Sequence, residues 1–125
     1  MEDSGDGQKY SDVYREAKSE HKFTFIYIHG LHGTGADVMN IAESYIPDSC
    51  KIICPTAPRI PLTSDNGAII TAWCDQMCQE DSTLEELQAR WDNQSLEKSA
   101  DRIIGIIEEE SKTIPTQNIF VGGFS

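Results

Sequence analysis

Phe23-Thr24-Phe25-Ile26-Tyr27-Ile28 is apolar at nearly every position and rich in aromatic and β-branched residues. No polar alternation interrupts it, so it suits a strand covered on both faces, as inside a parallel sheet. A glycine-rich loop follows, His29-Gly30-Leu31-His32-Gly33-Thr34-Gly35. Thr34-x-x-Asp37 then has the spacing of a helix-starting capping box, with Asp where Glu or Gln is commoner. Val38, Ile41, Ala42 and Tyr45 recur at helical spacing. Lys51-Ile52-Ile53-Cys54 reads as the next strand, stopped by Pro55. Strand, helix, strand in this order implies a parallel pair joined by a right-handed crossover. The fold class is therefore α/β.

The remaining segments fill in around this unit. Residues 1–20 are polar and acidic and read as a solvated tail, with a short extended piece near Val13 and Tyr14. Residues 55–80 read as a long loop punctuated by Pro55, Pro58, Pro61 and Asp65-Asn66-Gly67, and a loop of that length usually has a function. Ser82-x-x-Glu85 opens a short acidic helix to about Arg90. From Ser95 to Lys112 a second helix places Leu96, Ala100, Ile103, Ile104 and Ile107 on one face. Pro115 ends it, and Ile119 to Val121 starts a third strand. Residues 21–125 thus form one portion of a single domain.

Composition excludes several functions. The 125 residues carry a formal charge of -11, which repels nucleic acid and anionic lipid. No stretch approaches the ~20 apolar residues of a membrane span, so no stable membrane insertion is expected. Met1-Glu2-Asp3-Ser4 has neither a signal-peptide pattern nor a myristoylation glycine, which leaves a cytoplasmic location as the default. Cys50, Cys54, Cys74 and Cys78 come in two C-x3-C spacings, not the C-x2-C of a zinc ribbon. Along a strand, Cys50 and Cys54 would stand roughly 13 Å apart, too far for a disulfide. They read as reduced, mostly buried thiols.

Chemistry is concentrated in two loops that follow strands, His29-Gly30-Leu31 and Gly123-Phe124-Ser125. Open parallel sheets hold their sites beyond the carboxyl ends of the strands, so both loops belong to one edge. Ile119-Phe120-Val121-Gly122-Gly123-Phe124-Ser125 is an apolar strand running into Gly-x-Ser, the first three positions of a Gly-x-Ser-x-Gly nucleophile elbow. Three further pieces accompany it: Phe25-Ile26-Tyr27-Ile28-His29-Gly30-Leu31, the segment from Cys54 to Thr63, and Ala72-Trp73-Cys74-Asp75. With these in order the chain, from about Lys22 onward, resembles the acyl-protein thioesterase and lysophospholipase branch of the phospholipase/carboxylesterase family, over the N-terminal half of that family's domain.

The resemblance implies an α/β-hydrolase fold, here a partial parallel-sheet core with crossover helices. It implies a serine hydrolase of carboxylic esters and thioesters, acting without metal or cofactor. Its substrates would be acylated proteins, lysophospholipids or small esters. Ser125 matches the nucleophile, and Leu31 the residue whose backbone N–H forms half of the oxyanion hole. Pro58, Pro61, Thr63, Trp73 and Asp75 fall in segments that flank the acyl-chain site. Departures are also visible. His32 and Gly33 stand where the family shows Gly and Asp, and a histidine there could narrow the loop or demand a backbone angle that glycine tolerates better. Cys74 stands where an aromatic is usual, which removes bulk near the acyl site.

The family's catalytic Asp and His follow the nucleophile, and neither can be assigned here. His21, His29 and His32 precede the first crossover helix, and His29 reads as a structural residue of the strand-to-loop junction. A serine without an adjacent base is a weak nucleophile. A terminal carboxylate on Ser125 would also oppose the charge of a tetrahedral oxyanion. The expectation is that these 125 residues alone are inactive. The strand ending at Val121 would present an open apolar edge that invites self-association. The alternative reading is a non-catalytic, hydrolase-like protein that binds an acyl chain or a protein partner.

Overall fold

The computed structural model describes residues 11–76 and 92–125. Its centre is a four-stranded sheet in the order β1-β3-β2-β6. The strands are β1 (Val13–Arg15), β2 (Phe23–Ile28), β3 (Cys50–Cys54) and β6 (Ile119–Gly123). β2 runs parallel to β3 on one side and to β6 on the other. β1 lies antiparallel on β3, with Tyr14 opposite Ile53. The sheet is thus parallel at its core and mixed at one edge, where only a parallel core was expected. β1 gives the extended piece near Val13 and Tyr14 a partner. The chain is therefore attached to the sheet from about residue 12, where the sequence suggested a solvated stretch up to residue 20.

α1 (Gly35–Ala42) connects β2 to β3, and α2 (Asn93–Glu110) precedes β6. The two connections leave β2 and β3 in opposite directions across the sheet, so right-handed crossovers put the helices on opposite faces. Side-chain alternation agrees. Ile52 and Cys54 pack with Val38, Met39 and Ala42 of α1, with Val13, Tyr27 and Ile46 around them. The alternate positions Thr24 and Lys51 reach Glu110 of α2 instead. Ile26, Ile52 and Ile53 are fully buried, each worth roughly 1.5–3 kcal/mol of transfer free energy.

The capping box of α1 is present in full. Thr34 Oγ1 accepts from the Asp37 N–H and the Asp37 carboxylate accepts from the Thr34 N–H. The buried stripe differs from the expected one. Val38, Met39 and Ala42 are buried, while Ile41 is half exposed and Tyr45 is 81% exposed. The helix is only two turns long, so Tyr45 falls beyond its end and Ile41 points off the stripe.

α2 begins at the N-cap Asp92, whose carboxylate accepts from the Ser95 N–H, three residues before the start read from the sequence. Its face is rotated from the expected one. Leu96 and Ile104 are exposed, Ile103 and Ile107 are half buried, and Glu110 is its buried residue. Among the described residues, the N-terminal half of α2 is hydrogen-bonded to the rest of the molecule through Asp92, Ser95, Ser99 and Arg102, which a hydrophobic pattern does not register.

The expected loop after Pro55 contains a β-hairpin, β4 (Arg59–Leu62) paired antiparallel with β5 (Ala68–Thr71). Its turn passes through a 3-10 segment, Thr63–Asp65, then Asn66 (φ 53°) and Gly67 (φ 82°). Pro61 sits opposite Ile69 in this two-stranded edge sheet, a placement that proline tolerates. Leu62, Ile70 and Ala72 form a small core under the hairpin. The expected helix from Ser82 to Arg90 and the residue Cys78 lie outside the described residues. β6 is the outer strand of the sheet, with Phe120 and Val121 about half exposed and Ile119 half buried.

Candidate active site

The site lies beyond the carboxyl ends of β2 and β6. Their parallel register sets Ile28 opposite Gly123, and the Phe124 N–H continues the ladder to the Ile28 carbonyl at 3.1 Å. The next residue after each strand therefore meets its counterpart. A Cβ built on Gly30 would stand 2.9 Å from the Phe124 carbonyl oxygen and 3.2 Å from Ser125 Oγ. Only glycine permits this approach. Ser125 itself has φ 63°, in the left-handed region that a serine enters at a cost of about 1–3 kcal/mol. The serine is thus held at a sharp strand-end turn, with its hydroxyl against a facing glycine loop.

A cavity of about 340 Å³ opens at Ser125, lined by His29, Gly30, Leu31, Trp73, Cys74, Gln76 and Leu96. Ser125, Leu31 and Trp73 are thus brought together. Among the described residues, the Leu31 N–H donates to no protein acceptor. Pro58 lies on the far side of Trp73, in a smaller cleft of about 110 Å³ shared with Ile60, Ala72, Ser99 and Arg102. Pro61 is exposed on β4. Thr63 and Asp75 join each other: the Thr63 N–H and Oγ1 donate to the Asp75 carboxylate at 2.8 and 2.6 Å. Pro58, Pro61, Thr63 and Asp75 do not line the Ser125 cavity.

Trp73 is held from three sides. Its Nε1–H donates to the His29 carbonyl at 2.8 Å, and its own carbonyl accepts from Ser99 Oγ. The Arg102 guanidinium lies 5.7 Å from its ring centroid, within cation–π range. Arg102 also donates to the Thr56 carbonyl at 2.7 Å and pairs with Asp12 at 2.5 Å. Asp12 in turn accepts from the Thr56 N–H at 2.9 Å. Sequence reasoning missed Gln76, Ser99 and Arg102, and it counted Leu96 as core. The signal was present in Ser95, Ser99 and Arg102, which recur at helical spacing.

The glycine loop is fixed as firmly. His29 is buried against Trp73, with ring centroids 5.1 Å apart. The Ala57 N–H reaches its Nε2 at 2.9 Å, and its Nδ1 lies 2.6 Å from the Gly30 carbonyl. An N–H can only donate and a carbonyl can only accept, so Nε2 is bare and Nδ1 carries the proton. Burial lowers the His29 pKa and favours this neutral ring, against smaller opposing effects of the Gly30 hydrogen bond and Asp37 and a smaller supporting one of Arg102. His32 takes φ 69°, the angle anticipated for a position where glycine is easier. Its N–H donates to the Thr71 carbonyl at 3.0 Å, and Thr71 Oγ1 donates to the Gly33 carbonyl at 2.8 Å. The hairpin and the glycine loop are thereby tied together.

Cys50, Cys54 and Cys74 are free and buried. Burial pushes the Cys54 thiol up to about 12 and also raises Cys50, so neither is a nucleophile at neutral pH. Among the described residues, no helix is long and apolar enough to cross a membrane.

A strained serine at the end of a parallel strand, facing a glycine loop across the sheet edge, fits the α/β-hydrolase class. A family model described as Phospholipase/Carboxylesterase matches residues 10–125. The chain belongs to the phospholipase/carboxylesterase family. It is 36% identical over 115 residues to acyl-protein thioesterase 1 homolog 2 of Dictyostelium discoideum, which covers 88% of this chain and 49% of that protein. It is 31% identical over 121 residues to acyl-protein thioesterase 1 of Yarrowia lipolytica, covering 93% and 51%. The crystal structure of Zea mays acyl-protein thioesterase 2 superposes with a TM-score of 0.73 at 28% identity, over 91% of this chain and 46% of that one. The chain spans about half the length of the curated relatives it matches.

Proposed function

We propose that Ser125 is the nucleophile of a serine hydrolase that cleaves carboxylic esters and thioesters, with acylated proteins among its substrates. The observation that carries this reading is the left-handed Ser125, its hydroxyl packed against Gly30 in a cavity that Leu31 also lines. The serine oxygen attacks the acyl carbonyl, and the Leu31 N–H donates to the oxyanion that develops. The acyl chain lies against Leu31, Trp73, Cys74 and Leu96. Lysophospholipids and small esters present the same acyl carbonyl. Pro58, Pro61, Thr63 and Asp75 act on the substrate indirectly, by shaping the hairpin and the wall behind Trp73.

Neither His21 nor His29 is placed to act as the general base. His29 has both ring nitrogens engaged, and His21 Nε2 is bonded to Thr24 Oγ1 at 2.8 Å. His21 precedes β2, at the amino end of the strand whose carboxyl end carries the site.

The test is labelling of the native protein with a fluorophosphonate, followed by turnover of a palmitoyl-thioester peptide. Ser125 should be the labelled residue, and Ser125→Ala should lower turnover by at least about 10³-fold. Label on a different serine, or undiminished turnover in the Ser125→Ala protein, would refute the reading.

A further inference from the structure

The Gly30–Leu31 peptide is one planar unit, and its carbonyl is pinned from two sides. His29 Nδ1–H donates to it at 2.6 Å and the Gly33 N–H at 3.0 Å. No peptide bond among the described residues is cis. In a trans peptide the N–H points opposite to the C=O. Holding the Gly30 carbonyl toward the His29 ring therefore aims the Leu31 N–H away from it, and among the described residues that N–H meets no protein acceptor. Donation to the carbonyl also polarises the peptide and strengthens its N–H as a donor.

We propose that His29 is the positioning residue of the oxyanion site, through the Nδ1–H that holds the Gly30–Leu31 peptide. This rests on the assignment of Ser125 and Leu31 above. The tautomer is not free to change. The Ala57 N–H occupies Nε2, and an Nε2–H ring would set two donors face to face while leaving Nδ1 without a proton for Gly30. Trp73 closes the device by donating to the His29 carbonyl, and Gly33 leaves room for it. A Cβ on Gly33 would lie 3.1 Å from both the Gly30 oxygen and His29 Nδ1.

Two substitutions separate the two ring nitrogens. Asn places an amide N–H near the position of Nδ1, and Gln places an amide oxygen near the position of Nε2. Both should lower stability. In the native protein acting on p-nitrophenyl octanoate, His29→Gln should lower kcat about 10–100-fold with KM little changed, since the donor it disturbs acts on the transition state. His29→Asn should lose no more than about threefold, because it keeps the donor. Loss of activity in Ser125→Ala alongside equal kcat for the two His29 variants would overturn the positioning role and leave the nucleophile assignment standing. Activity retained in Ser125→Ala would remove the assignment itself. Nitrogen-15 NMR of the unsubstituted protein decides independently of how the variants fold. The His29 ring should show a protonated Nδ1 and a bare Nε2, and the opposite pattern would overturn the proposal.

Discussion

Three glutamates, Glu108, Glu109 and Glu110, close α2, and its last turn holds no basic residue. A helix C-terminus disfavours negative charge, so the arrangement needs a tertiary reason. Lys51 Nζ lies 2.9 Å from Glu110 Oε2, and Thr24 Oγ1 donates to Oε1 at 2.9 Å. His21 Nε2–H supports the Thr24 oxygen at 2.8 Å. The side chains of Lys51 and Glu110 are only 18% and 9% exposed. At this separation and an effective dielectric near 20, the gross attraction is about 6 kcal/mol, most of it offset by desolvation. Lys51→Met strands a buried carboxylate and should cost about 3 kcal/mol in urea unfolding of the native protein. Glu110→Leu should cost about 2 kcal/mol, since the longer lysine chain can carry its charge toward water. The double substitution should cost about 2 kcal/mol in total, well below the sum, because it removes the stranded charge as well as the pair. Additivity within about 0.5 kcal/mol would refute the claim that this pair clamps α2 to the sheet.

Gly35→Ala should destabilise the protein by about 3 kcal/mol or more, measured by urea unfolding, because its Cβ would lie 2.0 Å from the Cys54 carbonyl oxygen. Gly30→Ala should leave the fold largely intact but suppress fluorophosphonate labelling, since its Cβ presses on Phe124 and Ser125. Cys54 links stability to alkaline pH. Its folded pKa of about 12 lies above the ordinary thiol value of 9.0, so its contribution is complete below pH 9 and is lost as pH rises toward 12. Cys54→Ala should flatten that alkaline limb of the stability curve. His29 links stability to acid. Its folded pKa is lowered from 6.5, so its contribution is complete above pH 6.5 and declines as pH falls below it. His29→Gln should flatten the acid limb.

The sequence by itself determined the parallel unit and both strand-end loops. Phe23 to Ile28 is apolar nearly throughout and suits an interior strand, and Gly30 and Ser125 follow two residues after their strands. Those are local properties of chain period and turn chemistry, and they survive in one dimension. It also determined the start of α1, because a capping box is closed within four residues. Other features depended on which distant residues meet. The hairpin after Pro55 is held by pairing across its turn, and its prolines read as punctuation until Pro61 is seen at an edge. The face of α2 was misjudged because Ser95, Ser99 and Arg102 make its contacts by hydrogen bonding, and polar partners leave no hydrophobic period. The tautomer of His29 was set by Ala57, 28 residues away. Only the tertiary structure could decide these points, since a hydrogen bond between remote segments depends on where the backbone returns in space.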